Sequence, residues 1–253
     1  MKVVRAISEL RLDGDVGLVP TMGGLHAGHV SLFDAARTEN DVVVASLFVN
    51  PAQFDDQADL ARYPRDEKHD FAVAEQAGVD VLFAPTPDEM YPAGFTTWVV
   101  PEETGAEGAA RPGHFRGVAT VCLKLFAIVR PARAYFGQKD AQQALVVRHM
   151  AGDLNLGVDI RVLPTVRDED GLALSSRNVL LSPAERERAL GLPRALESAV
   201  AAPDPVAAAR AQLNGLDPDY VELLDLEGAT VLAAAVRVGS TRLIDNVVVK
   251  GAL

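Results

Sequence analysis

Apolar positions along the chain fall into short, nearly unbroken runs separated by segments of helical spacing. "DVGLVP" (15–20) is one such run, closed by Pro20, and "DVVVASLFVN" (41–50) is a longer, valine-rich one. Runs without polar alternation are how parallel strands covered on both faces read. Between these two lie a glycine-rich turn and a helical stretch through "SLFDAARTE". The rhythm continues with a helix over 65–78 that stops at Gly78, then a strand in "VDVLFAP" (79–85). A buried helix follows in "GVATVCLKLFAIVRP" (117–131), then a short strand "RAYFG" (133–137). A helix over 138–154 and a strand in "GVDIRVLPTV" (157–166) complete the array. Strand–helix alternation of this kind predicts an α/β, doubly wound parallel sheet.

The texture changes near residue 165. "RDEDGLALSSRN" (167–178) reads as a polar loop, and "SPAERERALGLPRALESAVA" (182–201) reads as one helix. Its Ser-Pro-x-x-Glu start combines an N-cap with proline at the first helical position. "AAPDPVAAARAQL" (201–213) is helical after its prolines, and two strand-like segments follow, "DYVELLDL" (219–226) and "TRLIDNVVV" (241–249). The expected division is therefore a domain over 1–165 and a smaller α+β domain over 166–253.

Composition narrows the function classes. A formal charge of −11 argues against a nucleic-acid backbone as partner, because such proteins carry a basic face. A small anionic ligand remains compatible, since a local cluster of His, Lys and Arg can hold one in an acidic protein. The single cysteine, Cys122, permits no intrachain disulfide, which fits a cytoplasmic location. The N-terminal stretch lacks the apolar region of a signal peptide, and no apolar run approaches the ~20 residues that span a bilayer.

Three loops carry candidate chemistry. "PTMGGLHAGH" (20–29) places His26 and His29 three positions apart before a helix. If that helix starts near Ala27, both imidazoles share one face of its first turn, beside unpaired N–H groups and the positive end of the dipole. A satisfied turn, a chance pair, a zinc pair and a phosphate site are all compatible with the spacing. Zinc is disfavoured because helical pairs usually stand four apart and no third ligand lies nearby. "FGQKDAQQ" (136–143) offers Lys139 at the end of a strand, where open α/β sheets bind ligands. "GLALSSRN" (171–178) offers Ser175, Ser176 and Arg177 in succession, two hydroxyls and a guanidinium suited to polyphosphate oxygens. Each alone reads equally as an ordinary loop, but three phosphate-type loops in one chain point together.

"PTMGGLHAGH" resembles the H-x-G-H signature of the nucleotidyltransferase superfamily. The ordered series "SLFVNPAQF", "YPRD", "MYP", "GHFRGVATV", "YFGQKDAQQ", "TVRDEDGLALSSRN" and "TRLIDN" resembles, more narrowly, the pantothenate synthetase family, nearly end to end. The resemblance implies ATP-dependent condensation of pantoate with β-alanine, through a pantoyl adenylate, to pantothenate, AMP and pyrophosphate. It implies a Rossmann-like N-terminal domain, a C-terminal lid, a homodimer, and Mg²⁺ with the nucleotide. By matched position the ATP site would take Met22, Gly23, Gly24, Leu25, His26, Ala27, Gly28 and His29. It would also take Gly137, Gln138, Lys139, Asp140, Val166, Leu174, Ser175, Ser176 and Arg177. His29, His26 and Lys139 would be catalytic, Gln53 and Gln143 would hold pantoate, and Gln53 would also meet β-alanine. The metal ligands are not assigned. Ala141 departs from the pattern, which has an aromatic residue after Lys-Asp.

The chemistry suits these residue types. Pantoate's carboxylate, with an ordinary pKa near ~4, is already a nucleophile at neutral pH, so the first step needs stabilised phosphate charge rather than a base. Neutral glutamines both donate and accept, which suits a hydroxy acid. Two other readings compete: a nucleotidyltransferase acting on a phosphorylated substrate, and a non-catalytic nucleotide-binding protein. The absence of a basic cluster beside Gln53 and Gln143 disfavours the first, and the intact His, Lys, Ser and Arg set disfavours the second. Elsewhere, Asp66, Glu67 and Asp70 read as a solvated helix face, Cys122 as core, and Trp98 as packing at a strand rather than serving as a nucleotide platform. Asn50 reads as shaping the turn and orienting Gln53, and His114 and Arg116 as ordering a loop or making substrate-side contacts.

Overall fold

Six parallel strands in the order β1-β4-β3-β2-β5-β6 form the central layer of the computed structural model, which describes residues 1–102 and 105–251. Residues 252 and 253 of the expected C-terminal region lie outside those described. The strands are β1 (Lys2–Val4), β2 (Val16–Thr21), β3 (Val42–Leu47), β4 (Val81–Phe83), β5 (Arg133–Gly137) and β6 (Asp159–Leu163). All five pairings are parallel, with Val16 facing Val42 and Gly17 facing Arg133 in the registers of β2.

Both sheet faces are covered, which is why the strand sequences are apolar throughout. Alternate residues point to opposite faces. Leu18, Val44, Phe83, Ala134 and Phe136 pack with α6 (His114–Val129) and α7 (Ala141–Asp153). Val19, Val43, Ala45, Leu82 and Tyr135 pack with α1 (Ala27–Glu39) and α3 (Glu67–Gln76). Between β3 and α3 lie a 3-10 turn (Pro51–Gln53) and α2 (Gln57–Arg62). Short helices α4 (Pro87–Met90) and α5 (Ala106–Ala110) precede α6.

Beyond β6 the chain builds α8 (Pro183–Ala189), α9 (Gly191–Ala199) and α10 (Pro205–Gln212), then an antiparallel sheet β7-β8-β9. Its strands are Asp217–Asp225, Thr230–Val238 and Thr241–Lys250. Ser182 and Glu185 form the expected capping box, with Pro183 at the first helical position. The single helix expected over 182–201 is two, meeting at Leu190 and Gly191. Pro193 has no N–H and would leave a ladder bond unmade inside a continuous helix, whereas in the first turn of α9 none is needed.

Two strands were not foreseen. β1 is an edge strand of three residues whose paired residues are 79 positions away. β8, the central strand of the second sheet, carries the alanine run Ala233–Ala235, which has no strand preference of its own. It is defined by packing: Leu232, Ala234 and Val236 join Leu192 and Leu196 of α9, while Ala233 and Ala235 face Ala106 and Tyr220. Trp98, expected to pack at a strand, lies in a loop stacked on Tyr91 with ring centroids 5.8 Å apart.

Candidate active site

The strand order reverses between β2 and β5, and the residues leaving their C-terminal ends face one crevice. After β2 the chain turns through Gly23 and Gly24, both at positive φ (87° and 64°), and enters α1. Asp70 fixes this turn. Its carboxylate is 2% exposed and accepts the Gly24 N–H at 3.1 Å and the Leu25 N–H at 2.7 Å. The expectation of a solvated face over Asp66, Glu67 and Asp70 therefore fails at Asp70, although Asp66 does cap α3 by accepting the His69 N–H. Asp70 stands on the same helix but its partners are more than forty residues away, beyond any local pattern.

His26 is the N-cap of α1, and the two imidazoles form a reciprocal capping box. His26 Nδ1 accepts the Gly28 N–H at 3.1 Å, and His29 Nδ1 accepts the His26 N–H at 3.2 Å. Nearby N–H groups are thus taken up by the rings rather than left open. The consequence is chemical: with Nδ1 an acceptor on both rings, each neutral imidazole carries its proton on Nε2. Burial, then the charge of Lys139, lowers the His26 pKa to about 4. Burial, then His26 and Lys139, lowers that of His29 to about 3. Both rings are neutral Nε2–H donors at neutral pH, 4.2 Å apart between centroids.

The crevice holds a cavity of about 210 Å³ whose wall brings the three loops together. Met22, His26, Gly28 and His29 come from the first loop, Gly137, Lys139 and Asp140 from the second, and Val166, Leu174, Ser175, Ser176 and Arg177 from the third. Gln53 and Gln143 line it too, and continue into an adjoining cavity toward β9. Of the other residues expected at the nucleotide, Gly23, Gly24, Leu25 and Ala27 do not line this wall, and Leu25 is buried behind it. Gln138 turns to Asn246 of β9, donating at 3.1 Å. Lys139 sits on a 3-10 turn (Gln138–Asp140) that precedes α7, its Nζ 3.2 Å from Asp140. Burial raises the Asp140 pKa, but Lys139, Arg177 and His114 together outweigh it and leave the carboxyl below its usual value, hence ionised.

The third loop is pinned at the start of its short 3-10 turn (Ser176–Leu180). The Ser176 hydroxyl donates to the Gly24 carbonyl at 3.0 Å, and Ser175 Oγ accepts the Arg177 N–H. Arg177 pairs with Asp59 of α2 at 2.8 Å and lies over the Tyr63 ring at 5.4 Å. Asp59 was not singled out from sequence, and Asp70 was read there only as solvated surface. Thr165 adds an orphan: its buried Oγ1 lines the cavity without a hydrogen-bond partner among the described residues.

Gln53 is 7% exposed and held from three sides. Its carbonyl accepts from His114 Nδ1 at 2.8 Å and Arg111 at 3.1 Å. Its side-chain Oε1 accepts from Asn50 Nδ2 at 3.0 Å. Burial, then Arg111, lowers the His114 pKa to about 4, so that ring too is neutral. Asn50 thus orients Gln53 as the sequence suggested, and of the two readings of His114, loop order or substrate contact, the structure shows the first.

A model of pantoate-β-alanine ligases matches residues 1–248 of the chain. The chain belongs to the pantoate-β-alanine ligase family. The pantothenate synthetase of a Roseiflexus species is 52% identical, over 99% of this chain and all of its own length. That of Moorella thermoacetica is also 52% identical, covering 93% and 91%. Among solved structures, the pantothenate synthetase of Thermus thermophilus superposes with a TM-score of 0.94 at 46% identity, covering 99% of this chain and 100% of its own. The Francisella tularensis pantoate-β-alanine ligase, solved with beta-gamma ATP and β-alanine, gives 0.88 at 34% identity, covering 98% of each chain. As a pantoate-β-alanine ligase, the chain is an enzyme that joins pantoate to β-alanine to make pantothenate. The doubly wound parallel sheet with a small antiparallel sheet is the fold of that family. Among the described residues, no helix is long and apolar enough to cross a membrane.

Proposed function

We propose that the three loops bind ATP and that the reaction runs through pantoyl adenylate. A pantoate carboxylate oxygen attacks the α-phosphorus, the bond from that phosphorus to the bridging oxygen of pyrophosphate breaks, and pyrophosphate leaves. The amine of β-alanine then attacks the acyl carbon, loses a proton, and AMP departs with the former carboxylate oxygen.

The observation that carries this reading is the tautomer of the histidine pair. Two neutral Nε2–H donors, with the Lys139 ammonium on the same wall, suit an α-phosphate that gathers charge in the transition state. In that reading neither imidazole is a base, and none is needed. Ser175, Ser176 and Arg177 hold the departing pyrophosphate, for which Arg177 exchanges Asp59 for phosphate oxygens. Gln53 and Gln143 hold pantoate, Gln53 faces β-alanine as well, and Thr165 Oγ1 gains a partner in the nucleotide. Met22, Gly28, Gly137, Asp140, Val166 and Leu174 complete the nucleotide wall, with Gly23, Gly24, Leu25 and Ala27 shaping the first turn and Gln138 bracing the second against β9.

Mg²⁺ belongs to the same reading. Among the described residues there is no cage of three or more His, Cys, Asp or Glu side chains. A magnesium ion that accompanies a nucleotide asks few ligands of the protein. Asp140, ionised and on the cavity wall, is the residue that would hold it, and the ion would neutralise phosphate charge. A division of the chain at residue 165, a C-terminal lid, a homodimer and a cytoplasmic location complete the proposal.

Pantoate labelled with ¹⁸O in its carboxylate tests the route. Attack on the α-phosphorus transfers one label to AMP, whereas label in orthophosphate, with ADP as product, would overturn the adenylate.

A further inference from the structure

We infer that Tyr91 is a positioning residue for pantoate, holding through Asn50 the Gln53 amide with its N–H donors toward the substrate. The inference rests on the proposal that Gln53 binds pantoate, and it deepens it.

The argument starts from backbone groups, whose donor and acceptor roles are fixed. Asn50 Nδ2 lies 3.1 Å from the Gly117 carbonyl, which only accepts, and Asn50 Oδ1 lies 3.2 Å from the Ala52 N–H, which only donates. These two contacts leave the Asn50 amide one orientation. Nδ2 is therefore the atom that meets Gln53, at 3.0 Å, and being a donor it must find an acceptor there. Gln53 presents Oε1 to Asn50 and so keeps Nε2, two N–H donors, for the cavity. Among the described residues Nε2 has no other partner, and Gln53 lines both cavities. The partner of Gln53 must then be an acceptor, which a carboxylate is.

Tyr91 closes this chain. Its hydroxyl donates to Asn50 Oδ1 at 3.0 Å, the second proton that oxygen accepts. Burial, the largest cause, raises the phenol's pKa, which keeps the hydroxyl a donor at any working pH. The ring is held without help from the hydroxyl: Trp98 stacks on it at 5.8 Å, Phe95 meets it edge-on at 5.1 Å, and Phe48 is tilted against it at 6.2 Å. The sequence Tyr91 O–H to Asn50, Asn50 N–H to Gln53, Gln53 N–H to substrate runs in one direction only. Asn50 itself is 1% exposed, so a loosened amide has no water to restore the bond.

Tyr91→Phe isolates the hydroxyl, because the aromatic cluster keeps its packing. The measurement is the Michaelis constant for pantoate and for ATP in four proteins: wild type, Y91F, Q53A and the double variant. The expected result is a pantoate KM about five- to tenfold higher in Y91F, in the range one hydrogen bond supports, with ATP KM within twofold of wild type. In the Q53A background the same substitution should change pantoate KM less than twofold, since Tyr91 acts through Gln53. A structural lesion would instead move both constants or lower the melting temperature. Q53A raising pantoate KM while Y91F leaves it unchanged would overturn the relay and spare the pantoate site. An unchanged pantoate KM in Q53A would overturn the site reading and the relay with it. Full, additive effects of both substitutions in the double variant would also overturn the relay.

Discussion

Lowering the pH from 7 to 5 should destabilise this protein steeply, and three histidines, His114 buried and His26 and His29 half-buried, set the amount. His26 and His114 have pKa values lowered to about 4, and His29 to about 3. In the unfolded chain each returns to about 6.5. As pH falls below about 6.5 the unfolded state binds protons that the folded state refuses, so stability is full near pH 7 and is lost as acid is added. Linkage gives roughly 2 kcal/mol lost per histidine over these two units, or about 6 kcal/mol together, a large part of a typical folding free energy. Carboxylates do not confuse the window. Asp55 and Asp140 have pKa values below their ordinary ones, and their contribution is lost only under more acid conditions. The assay is urea unfolding at pH 7 and pH 5, comparing wild type with His114→Asn. Asparagine keeps a donor near the Nδ1 position, toward the Gln53 carbonyl, but cannot titrate. The variant should lose about 2 kcal/mol less than wild type between the two pH values. A wild-type free energy that changes by under about 1 kcal/mol over this range would refute the claim that these rings are held neutral.

Other substitutions test separate parts of the site. In Gly117→Ala the new Cβ would meet the Ala52 carbonyl oxygen at 2.3 Å and Gln53 N at 2.6 Å, so α6 must retreat from the turn carrying Gln53. Pantoate KM should rise at least tenfold and stability should fall by about 2 kcal/mol, as overpacking against backbone does; steady-state kinetics and thermal unfolding would read both. Asp59→Asn removes the carboxylate that competes with phosphate for Arg177, so ATP KM should fall about threefold. A rise would mean that Asp59 holds Arg177 in its working position instead. Asp70→Ala strips two N–H groups at Gly24 and Leu25 of their acceptor and should lower unfolding free energy by about 3 kcal/mol. Calorimetry showing a loss below about 1 kcal/mol would contradict the role given to that carboxylate.

What was legible in the sequence is what depends on near neighbours. The unbroken valines of β3 announce a strand buried on both faces, and Ser182, Pro183 and Glu185 announce a helix start, because the cause lies within a few residues. The histidine spacing was legible too, since His26 and His29 meet across one turn. Features fixed by distant partners were not. Asp70 sits three and four residues from Glu67 and Asp66, a spacing that reads as one polar face, and only the approach of Gly24 and Leu25 makes it a buried clamp. The alanines of β8 are neutral locally and become strand because two layers close on them. Asp59 carries nothing in its surroundings to mark it, until the third loop brings Arg177 to it across 118 positions.

Pantoate-dependent exchange of pyrophosphate into ATP, without β-alanine, tests the central claim most directly. It reads the first half-reaction alone, in wild type and in His29→Ala. Exchange that requires pantoate and falls about 100-fold or more in the variant, as expected for losing one donor to transition-state charge, is the predicted result. Absence of exchange in an enzyme that binds ATP, or full exchange in the variant, would contradict it.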